Sequence, residues 1–274
     1  MSVKKAIVTG DFDQINSSHV RFLEMASSSG ALHVLLWSDE LALKLGRAYP
    51  KYPQEERIYM LNSIRYVSRV RLLNEIDTAD QVPDLSGINP QVWAEQENDF
   101  TPQRQKYCTA KGIEYRIIHQ AKLGGYPPLP SGGEVLSARK RVLVTGSFDW
   151  LHSGHVRFFE ETSALGDLHV VVGHDANIRL LKGEGHPLFS QDERAYMVQS
   201  IRFVNRTLIS SGHGWMDGEP EIKRIKPHIY AVNQDGDKPE KRKFCAEHGI
   251  EYLVLERKPK QGLPRRESTL LRGY

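Results

Sequence analysis

One sequence is written twice in this chain. Val8–Glu24 reads VTGDFDQINSSHVRFLE and Val144–Glu160 reads VTGSFDWLHSGHVRFFE, sharing 11 of 17 residues. Farther on, QEERIYMLNSIRYVSRV returns as QDERAYMVQSIRFVNRT, and GINPQVWAEQENDFTPQRQKYCTAKGIEY returns as RIKPHIYAVNQDGDKPEKRKFCAEHGIEY. A repeat that covers essentially the whole chain predicts two domains of one fold, residues 1–123 and 141–274. They are joined by a linker, 124–140, rich in Gly, Pro and Ser and ending in a basic cluster.

Within each copy, strand and helix patterns alternate. In the second, Arg141–Thr145 and Leu168–Gly173 are short Val-rich runs of the kind found in buried parallel strands, while His152–Ala164 puts Val156, Phe159 and Ser163 on one helical face. Further strands are expected at Arg206–Ser210, His228–Val232 and Glu251–Leu255, and helices at Gln191–Phe203, Glu219–Ile225 and Pro239–His248, with Asp237 as a helix start. The expected class is α/β, two tandem Rossmann-like doubly wound parallel-sheet domains. Ligands of such sheets bind at the carboxyl ends of strands, near the topological switch point.

Composition narrows the partners. Lys+Arg 37 against Asp+Glu 34 leaves a net charge of +3, and neither a basic stripe nor an aromatic platform marks a nucleic-acid surface. No apolar run of about 18 residues could span a bilayer, and MSVKKAIVTG leads directly into a strand pattern, so a cytoplasmic protein is expected. Cys108 and Cys245 occupy equivalent repeat positions, which predicts two buried structural thiols, one per domain.

The chemistry sits where the copies differ. After the strand come Gly146-Ser147-Phe148-Asp149 and then His152-Ser153-Gly154-His155 opening a helix. That order gathers backbone N–H groups, a positive helix end and two imidazoles, which suits a polyphosphate. Gly154 permits close backbone approach of a nucleotide.

These residues resemble the HxGH-motif nucleotidyltransferase superfamily, the cytidylyltransferases and adenylyltransferases. Arg179–Val198, RLLKGEGHPLFSQDERAYMV, resembles the family's lysine loop and following Glu-Arg helix; Arg265–Arg272, RRESTLLR, resembles its second signature. The resemblance implies that His152 and His155 bind phosphates and stabilise the transition state and that Lys182 neutralises developing charge. Ser268 and Thr269 would hold the triphosphate, with Arg272 closing the signature and Arg194 reaching phosphate or making an ion pair. It also implies Mg2+, carried with the nucleotide, and release of pyrophosphate as a phosphorylated small-molecule acceptor attacks the α-phosphorus. CTP is read ahead of ATP, with an adenylyltransferase the alternative and a non-catalytic nucleotide sensor the alternative of another class. His174, Asp175, Asp235 and Asp237 are candidates for acceptor or ribose contacts, with strand-end, turn and cap roles beside them. No metal ligand is assigned among the protein side chains.

The first copy departs from the motif. Asn16 replaces His152, Ser18 replaces Gly154, the loop ALKLGRAYPKYPQEER shifts its lysine by an insertion, and GYPPLPSGG places Gly132 where Thr269 stands. The expectation is a degenerate domain that completes an intramolecular pseudo-dimer, with further homodimerisation open. A regulatory nucleotide site lined by Asp13 and His19 is the rival. His186 and His213 have no evident partner and are expected to be exposed.

Overall fold

In the computed structural model, which describes residues 3–130 and 137–271 apart from the side chains of Thr269 and Leu270, the chain divides into Met1–Gly125 and Tyr126–Tyr274. In the first unit the strands are β1 (Lys5–Gly10), β2 (Ala31–Trp37), β3 (Val67–Leu73), β4 (Val92–Gln96) and β5 (Glu114–Ile118). The intervening helices are α1 (Ser17–Ser27), α2 (Asp39–Lys44), α3 (Gln54–Ser63) and α4 (Pro102–Lys111). The second unit repeats this as β6 (Arg141–Gly146), α5 (Ser153–Ser163), β7 (Asp167–Val172), α6 (Asp175–Lys182), α7 (Gln191–Gln199) and β8 (Arg206–Ile209). It continues with α8 (Glu219–Ile225), β9 (Ile229–Asn233), α9 (Pro239–Glu247), β10 (Glu251–Leu255) and a final turn α10 (Ser268–Leu271).

Both sheets are parallel throughout and share one order, β3-β2-β1-β4-β5 and β8-β7-β6-β9-β10. The chain turns back across the sheet between β1 and β4 and again between β6 and β9, so each unit opens a crevice beyond the carboxyl end of its central strand. The strands form because their apolar runs can be covered on both faces. Val142, Leu143 and Val144 are fully buried, as are Ile7 and Val8 in the first unit. On α5 the buried face holds Val156, Phe159 and Thr162; Ser163, expected to point inward, lies half-buried one step round the helix and hydrogen-bonds the Glu160 carbonyl.

Three expectations need correction. The stretch read as a lysine loop begins as a helix, α6, because the His174 Nδ1 caps it by accepting from the Asn177 N–H at 3.2 Å. Helix α7 stops at Gln199, not Phe203, and the Gln199 side chain instead accepts from the Thr207 N–H at 2.8 Å, which fixes the entry to β8. The first copy's loop is shorter, not longer: Asp39 and Gln54 are 15 residues apart, and their counterparts Asp175 and Gln191 are 16 apart.

The two cysteines are free and buried on α4 and α9, and burial pushes both thiols up to about 11. Among the described residues no helix is long and apolar enough to cross a membrane.

Candidate active site

The loop after β6 is shaped by Phe148, which takes a left-handed backbone with φ 49° and folds its ring back over the strand end. A Cβ on Gly146 would meet that ring at 2.8 Å, so a side chain there would push Phe148 out of its place. The Phe148 ring then packs edge-on against His155, with centroids 5.4 Å apart, and against Phe159. Phe12 has the same backbone, φ 48°, and faces His19 in the first unit, so the scaffold of the loop survives in both copies.

His152 caps α5. Its Nδ1 accepts from the Gly154 N–H at 3.1 Å, and its ring stacks on His155 with centroids 3.9 Å apart. Gly154 fits beneath it because a Cβ there would press on the His152 ring at 3.0 Å. Two ring nitrogens, His152 Nε2 and His155 Nδ1, are buried without a hydrogen-bond partner. Buried polar atoms are nearly always paired, and exceptions gather where a ligand or strain completes the structure. Burial, aided by Arg257 and Arg266, depresses the His152 imidazole to about 3. Burial, then His152, Arg257 and Lys182, hold His155 well below its usual range. Both rings are therefore neutral at neutral pH.

Cations surround the pair. Lys182, at the end of α6, reaches the Ser147 hydroxyl at 2.8 Å. Arg257 lies just beyond β10, its guanidinium donating to Asp235 at 2.8 Å and to the Arg266 carbonyl at 3.4 Å. Ser268 opens α10 and donates to the Trp150 carbonyl at 3.4 Å, so the second signature sits against the loop that carries the histidines. The Thr269 side chain and Arg272, like Ser131 and Gly132 of the first copy, lie outside the described residues.

Other candidates are engaged in holding the crevice together. Asp149 accepts from the backbone N–H groups of Leu188 and Phe189 at 2.7 and 3.1 Å, tying the β6 loop to the segment before α7. Arg194 is 1% exposed and donates to the carbonyls of Phe189, Ser147 and Gly173 and to Asp175 at 2.7 Å. Arg57 makes the matching set with Tyr52, Asp11, Trp37 and Asp39. His174 caps α6 and contacts the Gly212 carbonyl through Nε2 at 2.8 Å. Asp237 does not cap α9; Arg242 and the Tyr252 hydroxyl occupy its carboxylate. His186 is not exposed but half-buried, with Nδ1 3.8 Å from Asp149, and the exposed His213 meets the His174 ring edge-on.

Sequence reasoning passed over Arg257, Arg266 and Lys241. The last is buried, with Nζ 3.3 Å from the Gly236 carbonyl and 3.4 Å from the Thr145 hydroxyl, and burial lowers its ammonium. Its signal was the repeat itself, since Arg104 fills the same helical position and is equally buried. Arg257 could have been found from its place after the last strand, on the edge where such sheets bind ligands.

Two copies of one parallel α/β fold, one with paired imidazoles ringed by cations at the switch point, define a nucleotidyltransferase architecture. The cytidylyltransferase-like family profile matches residues 7–119 and 143–267, and the chain belongs to that family. It is similar to the FAD synthase of Methanosarcina mazei, 35% identical over 52% of this chain and 80% of that one. It is also similar to the bifunctional protein HldE of Campylobacter concisus, 44% identical over 37% of this chain and 22% of that one. The crystal structure of the lipopolysaccharide core biosynthesis protein from Thermoplasma volcanium GSS1 aligns with 47% of this chain and 98% of its own at 24% identity and a TM-score of 0.37. The protein is thus a nucleotidyltransferase enzyme.

Proposed function

We propose that the second domain transfers an adenylyl group from ATP to the phosphate of a small molecule, with FMN the first acceptor to test. The observation that carries nucleotidyl transfer is the stacked His152–His155 pair, with two buried ring nitrogens awaiting partners among Lys182, Arg257 and Arg266. FAD is an adenylate joined to the phosphate of FMN, so likeness to FAD synthases favours ATP over the CTP expected from the motifs.

The reaction needs no covalent enzyme intermediate. An acceptor phosphate oxygen attacks the α-phosphorus in line, the bond to the bridging oxygen of the β-phosphate breaks, and pyrophosphate leaves with the electron pair. Catalysis is then positioning plus charge stabilisation. Burial is the main reason the imidazoles are neutral, and a neutral ring still carries one N–H: with His152 Nδ1 accepting from Gly154, its Nε2–H is free to donate to a phosphate oxygen as negative charge grows on the leaving group. Lys182 moves from the Ser147 hydroxyl to phosphate, and Arg257 and Arg266 fix the far side. Arg194 and Asp149 act as positioning residues by locking the loops that carry Ser147 and Asp175.

Magnesium enters as part of the nucleotide. Among the described residues no three His, Cys, Asp or Glu side chains converge as a metal-binding group. When bound, it neutralises phosphate charge.

Pyrophosphate release with ATP or CTP, each with FMN and other phosphate monoesters, tests the reading. We expect release with ATP and a fall of about 10²–10³ in kcat/KM for His155→Ala. Turnover with CTP alone overturns the base assignment; no loss in the variant overturns the site.

A further inference from the structure

The first domain has a crevice of its own, and its charge runs the other way. A cavity of about 660 Å³ opens at the carboxyl end of β1, within the size range of small-molecule sites. The repeat allows it to be compared with the second domain position by position. Asp11 stands where Ser147 does, Glu95 where Val232 does, and Asp99 where Gly236 does; Gln120 replaces Arg257. Asp235 and Asp237 become Asn98 and Phe100, but those two acids are spoken for by Arg257 and Arg242.

Four carboxylates line the cavity: Asp11, Asp80, Glu95 and Asp99. Two are matched within the domain. Glu95 pairs with Arg104 in the buried wall and accepts from the Tyr115 hydroxyl, and Asp11 lies 3.5 Å from Arg47. The side chains of Asp80 and Asp99 make no hydrogen bond or ion pair among the described residues; burial raises the Asp99 carboxyl while Arg47 and Arg104 act on it from beyond contact distance, and the lining as a whole sets four acids against two arginines. His19 also lines the cavity, but burial lowers its imidazole, so it adds no positive charge at neutral pH. Asp13, the other residue expected to line a nucleotide site, is instead bound to the backbone N–H groups of Lys51 and Tyr52.

The contact that Lys182 makes with Ser147 in the second domain has become an ion pair here, Arg47 with Asp11. That pair places a carboxylate where a phosphate would have to sit. A triphosphate entering this cavity would meet uncompensated acid at its mouth. The walls suit a ring instead: Phe12, Phe22, Trp37 and Phe100 line the same space. Aromatic faces and carboxylates together attract an organic cation. In the buried wall the Nε of Arg104, a residue 3% exposed, has no acceptor, which leaves one donor for a hydroxyl or carbonyl oxygen. A metal ion is not the ligand this lining describes, since no group of three ligating side chains converges among the described residues.

We infer that the first domain binds a small organic cation, an amine or guanidine joined to a flat ring bearing an oxygen, and not a nucleotide. This reading stands apart from the activity proposed for the second domain.

Tyramine and para-hydroxyphenylacetate share a phenol ring and differ in the sign of their charge, so calorimetry on the full chain with both isolates the charge. Tyramine is expected to bind at one site, more tightly than the anion, and about tenfold or more weakly to an Asp80→Asn/Asp99→Asn variant. Asp99 is exposed and neither side chain makes a hydrogen bond or ion pair among the described residues, so the variant should unfold close to the wild-type temperature. Equal or tighter binding of the anion, no heat with millimolar tyramine, unchanged tyramine binding in the variant, or displacement of tyramine by ATP would each overturn the inference.

Discussion

Ser147 and Asp11 occupy one position in two copies of the same loop, and on the proposed reading the difference between them separates a phosphate site from one that repels phosphate. Ser147→Asp should therefore weaken ATP binding in the second domain by at least about tenfold, because it captures Lys182 and adds a like charge beside the phosphates. Calorimetric titration of that variant checks it, and unchanged affinity would remove Lys182 and Ser147 from the site.

His152 makes a prediction about stability. Above the unfolded value of 6.5 its ring is neutral in both states and contributes nothing to the pH dependence. Below it, the unfolded chain takes up a proton that the folded site refuses until about pH 3. Stability therefore falls with pH across that window by about 1.4 kcal/mol per unit, or about 2 kcal/mol at pH 5. His152→Asn keeps a capping side chain, as Asn16 does, and should lessen the slope in urea unfolding between pH 7 and pH 5, leaving the part that the buried His155 contributes. An identical slope would mean that the ring is not shielded.

At the scale of elements, buried arginines hold the crevice in shape. Arg194 links the ends of β6 and β7 to the start of α7, and Arg57 does the same among β1, β2 and α3. Arg194→Met would strand the acceptors it serves and cost about 3–5 kcal/mol, read as a lower urea midpoint. A loss under 1 kcal/mol would show that the loops stand without it. Here the limits of sequence become visible. Alternating apolar runs and the repeat made the parallel sheets legible, because strand burial on both faces leaves a Val-rich signature. Helix α6 was missed because its cap is a histidine, and cap preferences are written for Ser, Thr, Asp and Asn. Asp237 misled for the opposite reason: it has a cap's composition, but Arg242 and Tyr252 lie within reach and hold it. Arg194 showed only as half of a Glu-Arg pair, since nothing in a linear pattern tells which carbonyls a guanidinium will meet.

For the whole molecule, the repeat pairs a copy that keeps His152 and Gly154 with one that carries Asn16 and Ser18 in their places. The loop geometry, buried arginine and sheet order persist in the first domain, which keeps a crevice of its own. The histidine pair and the losses at Asn16 and Ser18 were legible from the repeat alone. The acidic turn at Asp11, Glu95 and Asp99 was not, because those positions draw meaning only when the fold sets them around one cavity. On the proposed reading one domain binds nucleotide, and it does so through the histidine pair. Titrating ATP with Mg2+ into the wild type, His155→Ala and His19→Ala tests it most directly. One ATP per chain, lost with His155→Ala and kept with His19→Ala, is the predicted result; two equivalents per chain, or loss with His19→Ala, would contradict it.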